Sequence, residues 1–195
     1  MDGIKRLRTN GALTYDGFTT VVMHLLESAW GQGWGIFTEE APQLSDGKDV
    51  DMPRIVYGIK EVRPGVVGKN GTQELRPRLR EVQELETNGH SPKLMHMHGQ
   101  AMDYYISFTV YAENNRQLDI MTEAFLELMM TYGGFITQQG LRHIFFEKMV
   151  RESSDQKDKV VARTLYYRVG FERIVLNPTD KILSIQNKVL EKLGD

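Results

Sequence analysis

The sequence has no cysteine among its 195 residues, which excludes a disulfide framework, a thiolate metal ligand and a cysteine nucleophile. No run approaches the ~18 apolar residues of a membrane span, and the opening MDGIKRLRTNGALTYDGF lacks the apolar stretch of a signal peptide. A soluble protein, intracellular when made and without a membrane partner, is expected. Neither sign of charge dominates: 24 Lys and Arg stand against 26 Asp and Glu, a net charge of −2. Such a balance gives no general attraction to nucleic acid or anionic lipid, so any DNA contact must be local. Repeats and low-complexity tracts are missing. So are G-x-S-x-G, H-E-x-x-H, G-x-G-x-x-G ahead of a helix and G-x-x-x-x-G-K-[ST], the common signatures of hydrolase, zinc-protease, dinucleotide and phosphate-loop sites.

What is there suffices for one domain over residues 1–195: the chain is 41% hydrophobic, enough for a sizeable core. TYDGFTTVVMHLLESAWGQG spaces Phe18, Val21, Val22, Leu25, Leu26 and Ala29 as a helix, with Thr14 or Asp16 as N-cap and Gly31 as stop. RIVYGIKEV (54–62) and the run 74–85 read as strands of a hairpin, and Pro77 marks the second as an edge or irregular strand. In MDYYISFTVYAENN, Met102, Tyr104, Ile106, Phe108 and Val110 alternate with Asp103, Tyr105, Ser107, Thr109 and Tyr111, a half-buried strand. Helical period follows, with Leu118, Met121, Phe125, Leu128, Met129 and Tyr132 on one face. Asn114 and Gln117 cap its start, and Gly133 with Gly134 is its expected end. Met129 and Met130 read as core filler.

LRHIFFEKMVR and KVVARTLYYRVGFERIVL form a second hairpin around ESSDQKD. Its second arm is too long for one ordinary strand, so it bends between sheets or projects. A C-terminal amphipathic helix is expected from Ile182, Ile185, Val189 and Leu193. Long loops are expected at 32–53, 63–74 and 86–100. The order α-β-β-β-α-β-β-α makes an α+β fold, a mainly antiparallel sheet with helices packed on one face, long β-hairpins and a C-terminal amphipathic helix.

Two constellations invite chemistry. NGHSPKLMHMHG holds three of the five histidines, and His96 and His98 share one side of an extended chain. A metal-dependent enzyme built on His96, His98 and Asp103 is therefore one candidate, but the pair lacks a third ligand of fixed position. A polar contact loop is the plainer reading. In RPRLR, Arg76, Arg78 and Arg80 share one face of an extended backbone, where they are solvated edge charges or meet an acidic neighbour or DNA. A general nucleic-acid module is disfavoured, because basic and aromatic residues do not interleave on one strand.

The segments DYYISFTVYAENNRQLD, IMTEAFLELMMTYGGF, ITQQGLRHIFFEKMV and RTLYYRVGFERI resemble, in order and character, the tail-terminator and head-to-tail joining proteins of tailed bacteriophages. In that family a strand ending in Tyr-Ala leads into a helix closed by an aromatic residue before the next hairpin. The arginine-bearing LRPRLRE hairpin is similar more loosely. The resemblance implies a non-enzymatic virion protein of the tail or neck, assembled in the host cytoplasm without cofactor or metal. It would form a ring, a hexamer, at the head-proximal end of the tail tube, stopping tail polymerisation and joining the tail to the head connector. Implied partners are further copies of the chain, the tail tube protein, the connector and other neck proteins, and the sheath as a further candidate. DNA only passes through the channel. Another neck protein, a connector adaptor or tail-completion factor, is the alternative within this class. No catalytic residue is assigned; Arg76, Arg78, Arg80, His96 and His98 are the suspected assembly interface.

Overall fold

The computed structural model describes residues 12–39, 53–67, 71–87, 90–151 and 160–178; the expected C-terminal helix, the ESSDQKD turn and most of the 32–53 stretch lie outside them. The elements in chain order are α1 (Tyr15–Trp30), β1 (Ile36–Thr38), β2 (Arg54–Pro64), β3 (Val66–Val67), β4 (Thr72–Gln73), β5 (Arg78–Thr87), β6 (His90–Ala112), α2 (Asn115–Gln138), β7 (His143–Arg151) and β8 (Val161–Pro178). This is an α+β fold: a mixed, mostly antiparallel six-stranded sheet with two helices packed on it.

Both helices start where the sequence supplies an acceptor for the unpaired amides of a first turn. Thr14 Oγ1 accepts from Gly17 N at 3.1 Å. Asn114 Oδ1 accepts from Gln117 N at 2.9 Å, and Gln117 Oε1 reaches back to Glu113 N at 3.2 Å. Helix α1 ends at Gly31, as its sequence predicts.

The sheet runs β1-β2-β6-β8-β7, with β5 also on β6, and only β1–β2 is parallel. Strand β6 is 23 residues long and organises the whole. One of its edges pairs β8 without a register break from Met95↔Pro178 to Ala112↔Val161. Its other edge is shared end to end: β2 takes Met102–Tyr111 and β5 takes His90–Gly99. The sheet is therefore a body carrying β1, β2 and β7, from which β5 and the outer halves of β6 and β8 project as a three-stranded arm. The length of the second hairpin arm is explained by projection.

Strict alternation sends Ile106, Phe108, Val110 and Ala112 of β6, with Leu165, Tyr167, Val169 and Phe171 of β8, to the helix side. Phe18 and Val22 of α1 and Leu118, Phe125 and Leu128 of α2 close over them. Phe108 sits at the centre, its ring 6.3 Å from that of Phe18, 5.1 Å from Phe125 and 5.7 Å from Tyr167.

Five expectations are corrected. The runs 54–62 and 74–85 are not arms of one hairpin: β2 and β5 each pair with β6 and lie end to end along the same edge of it. Residues 86–100 are mainly strand rather than loop, because β5 pairs with β6 from His90 to Gly99 and β8 takes its other edge from Met95 on, and ladder bonds outweigh the local Gly, Pro and His signals. Pro92 falls where the β5 register shifts, a place where a missing N–H costs least. The 63–74 stretch holds the end of β2 and the small β3–β4 hairpin, and β1 lies within 32–53. Helix α2 continues through Gly133 and Gly134 to Gln138, anchored by fully buried Ile136 and by Thr137 Oγ1 donating to Gly133 O at 2.7 Å. Finally, Met130 is 76% exposed rather than core, and Tyr132 is 39% exposed.

Candidate assembly surface

Body and arm meet where the β2 ladder ends and the β5 ladder has not begun, at Gln100 and Ala101. Here β6 would present unpaired amide and carbonyl groups on one edge. The chain closes the gap with irregular backbone. Gly65 N donates to Ala101 O at 2.7 Å, and Glu74 N, returning from the β3–β4 hairpin, donates to Gly65 O at 2.9 Å. Ala101 N donates to Glu74 Oε2 at 2.7 Å, and Gln100 Nε2 donates to Glu74 O at 2.8 Å. A carboxylate thus completes a β-ladder.

Glu74 is fully buried, so its charge needs partners. Arg80 Nη2 reaches Oε2 at 2.7 Å, and Arg80 Nε reaches Glu172 Oε1 on β8 at 2.7 Å. Among the described residues, Oε1 of Glu74 faces only Arg78 Nε, at 3.6 Å. Burial opposes ionisation of Glu74, but the Ala101 amide, Arg80 and Arg78 outweigh it and hold the carboxyl below its usual range. Gly99 leaves room for this cluster: a Cβ there would lie 2.7 Å from Glu172 Oε1 and 2.8 Å from Arg80 Cγ.

The three arginines therefore separate. Arg80 is held inside the chain, with a register shift between Leu79 and Glu81 beside it. Arg78 is exposed and loosely associated with Glu74, and Arg76 is exposed and outside the network. His96 and His98 lie on one face of the arm, their ring centroids 6.3 Å apart. Asp103 lies on the opposite face of β6, because the β6–β8 register is continuous between them and side chains alternate. Among the described residues, no group of three or more His, Cys, Asp or Glu could hold a metal ion. The side chain of His90 is outside the described ones.

On the helix side of the arm, the register aligns Leu79 with His98 and Val175, and Val82 with His96. Leu79 is 51% exposed, Val82 47% and Val175 44%. Among the described residues, no helix covers this continuation of the core-facing side of the sheet. Exposed Arg173 belongs to the same face, opposite Gln100.

Sequence reasoning missed Glu74, although a single acid immediately ahead of three arginines in QELRPRLR was a usable signal. It also missed that the fold sets His143 Nε2 3.3 Å from Asp103 Oδ1. His143 stacks on Phe145 with centroids 4.7 Å apart. Burial, then Arg168 and Arg142, push its pKa down against the pull of Asp103. Nothing local announces that pair, since its members are brought together through β8.

No helix among the described residues is long and apolar enough to cross a membrane. Compared with known proteins, the chain matches no family model and no curated sequence.

Proposed function

We propose that this chain is a tail terminator of a tailed bacteriophage: a non-enzymatic virion protein that closes into a ring at the head-proximal end of the tail tube. There it stops tail polymerisation and joins the tail to the head connector. The observation that carries the reading is the arm, a three-stranded projection whose helix-side face carries the exposed apolar side chains of Leu79, Val82 and Val175 while the body is already packed. A subunit of a closed ring needs two different patches that meet head to tail, and a patch of this kind on a projection is suited to reach a neighbour. The resemblance of residues 103–174 to neck proteins supplies the biological setting.

The direct test is imaging of assembled particles with this chain labelled. Density at the neck is the expected result, and label elsewhere or absent overturns the reading. Co-purification separates a terminator, which retains the tail tube protein, from a connector adaptor, which retains the portal-side ring. Reversing Arg76, exposed and outside the Glu74 cluster, should leave the monomer folded and weaken assembly; unaltered assembly removes that residue from the interface.

A further inference from the structure

The outer face of α2 carries a second uncovered patch. Ile120 is 61% exposed and Met130 76%. Leu126 and Met130, with Glu123, Glu127 and Thr131, line an open groove of about 480 Å³ on this side of the helix. Ile120, Glu123, Glu127 and Met130 follow one another at three or four residues and form one stripe along the helix, flanked by Leu126 and Thr131. Neither Glu123 nor Glu127 has a cationic partner among the described residues. Below Met130 the stripe becomes smooth, since a Cβ at Gly134 would meet nothing within 4 Å.

The arm face described above is its complement. It offers apolar Leu79, Val82 and Val175, two histidines, and Arg173, which has no anionic partner among the described residues. The two patches match in scale. The arm runs about 20 Å from Met95 to Ala101 at ~3.3 Å per residue, and the stripe runs about 15 Å from Ile120 to Met130 at ~1.5 Å per residue. They cannot meet within one chain. Phe125 packs on Phe108 in the body, opposite Leu165, and Val175 lies ten residues further along β8, about 33 Å away.

We propose that the helix-side face of the arm of one copy docks on the outer face of α2 of the next copy, with Arg173 set against Glu123 and Glu127. This rests on the ring reading above and names the two surfaces that would close the ring. The contact is heterologous, so it propagates around a ring instead of ending at a pair. Each patch is a handful of side chains, whereas a standard stable interface takes about 20–30 residues per partner. One contact is therefore weak, and closure, which gives every subunit two, makes it hold.

The missing cysteines permit a clean test on the full chain. Met130→Cys and Val175→Cys both change exposed side chains, so folding is expected to be preserved and is checked by circular dichroism. Equimolar single variants, mixed and oxidised, should give a dimer containing one of each, and the double variant should give a ladder of multimers. A dimer formed by either single variant alone, an internally linked monomer from the double variant, or no link at all overturns the proposal. Arg173→Glu should cut the mixed-link yield about tenfold, as expected for attraction turned into repulsion, and Glu127→Arg should restore it; failure of that rescue removes the charge pairing. Were the mixed link to form while labelled particles lacked neck density, the docking would stand and the neck reading alone would fall. The reverse pair of results would remove only the docking.

Discussion

Replacing Glu74 tests whether a buried carboxylate holds body and arm together. Glu74→Ala takes away the acceptor for the Ala101 amide and for Arg80, both at 2.7 Å. A hydrogen bond to a charged group contributes about 1.5–3 kcal/mol, and an orphaned buried donor costs about 1–3 kcal/mol. Arg80 is 29% exposed and keeps Glu172, so its share is at the low end. The expected cost is about 3 kcal/mol, against a total stability of about 5–15 kcal/mol for a domain. Glu74→Gln should cost less, about 1 kcal/mol, because an amide carbonyl can still accept from Ala101 N while only the charge is lost.

Urea unfolding followed by far-UV circular dichroism gives the free energies, and amide exchange at Ala101 reports the junction itself. The pH dependence supplies the sign. The Glu74 carboxyl is depressed in the folded state, so its stabilisation is complete above the unfolded value of about 4.3 and is lost as pH falls through the folded value. The gap between wild type and Glu74→Gln should therefore close in acid. A cost for Glu74→Ala below about 1 kcal/mol would refute the ladder-closing account, the low limit being one neutral hydrogen bond. A gap that stays constant through acid would refute the charge assignment.

Three further outcomes follow from the same geometry. His143 is held neutral by burial, with Arg168 and Arg142 adding to the effect; this stabilisation is present above about pH 6.5 and is lost as pH falls through the lowered folded value. An NMR titration of the histidine ring protons should place His143 below an ordinary histidine, and His143→Gln should flatten that part of the stability profile. His96→Asn with His98→Asn should leave the thermal midpoint nearly unchanged; a large loss reversed only by added metal would reinstate a metal site. Gly134→Ala should stabilise the monomer by about 0.5–1 kcal/mol, because α2 gains backbone order where no neighbour stands in the way; a destabilisation in urea unfolding would contradict the open space above that residue.

Features settled by neighbouring residues were legible in the sequence. Thr14 and Asn114 cap helices because their acceptors lie three residues from the amides they meet. Residues 102–110 alternate because one face of β6 is core. The misses are long-range. Residues 90–100 carry turn-like Gly, Pro and His, and become strand because β5 pairs with them from His90 and β8 adds the other edge from Met95. Gly133 and Gly134 look like a stop, but Ile136 buries itself one turn later and draws the helix on. Met130 belongs to an apolar run, and only the direction in which α2 faces the sheet decides that it points outward. Glu74 depends on Ala101 and Glu172, 27 and 98 residues away in the sequence, a separation no local pattern encodes.

The same long-range pairing explains how one sheet can act both as an anchored body and as a reaching arm. The β6–β8 ribbon crosses from one to the other without a register break, so backbone hydrogen bonds transmit any load on the arm directly into the core around Phe108. The opposite edge of β6 is discontinuous, and there the transmission rests on Glu74, Arg80 and Glu172. If both edges were continuous, the arm would be as stiff as the body; if neither were, it would not hold an orientation. One continuous edge and one ionic clasp give an arm whose position is set by the fold and whose give is set by a few side chains. That combination suits a subunit which must find its neighbour before the ring that stabilises it has closed.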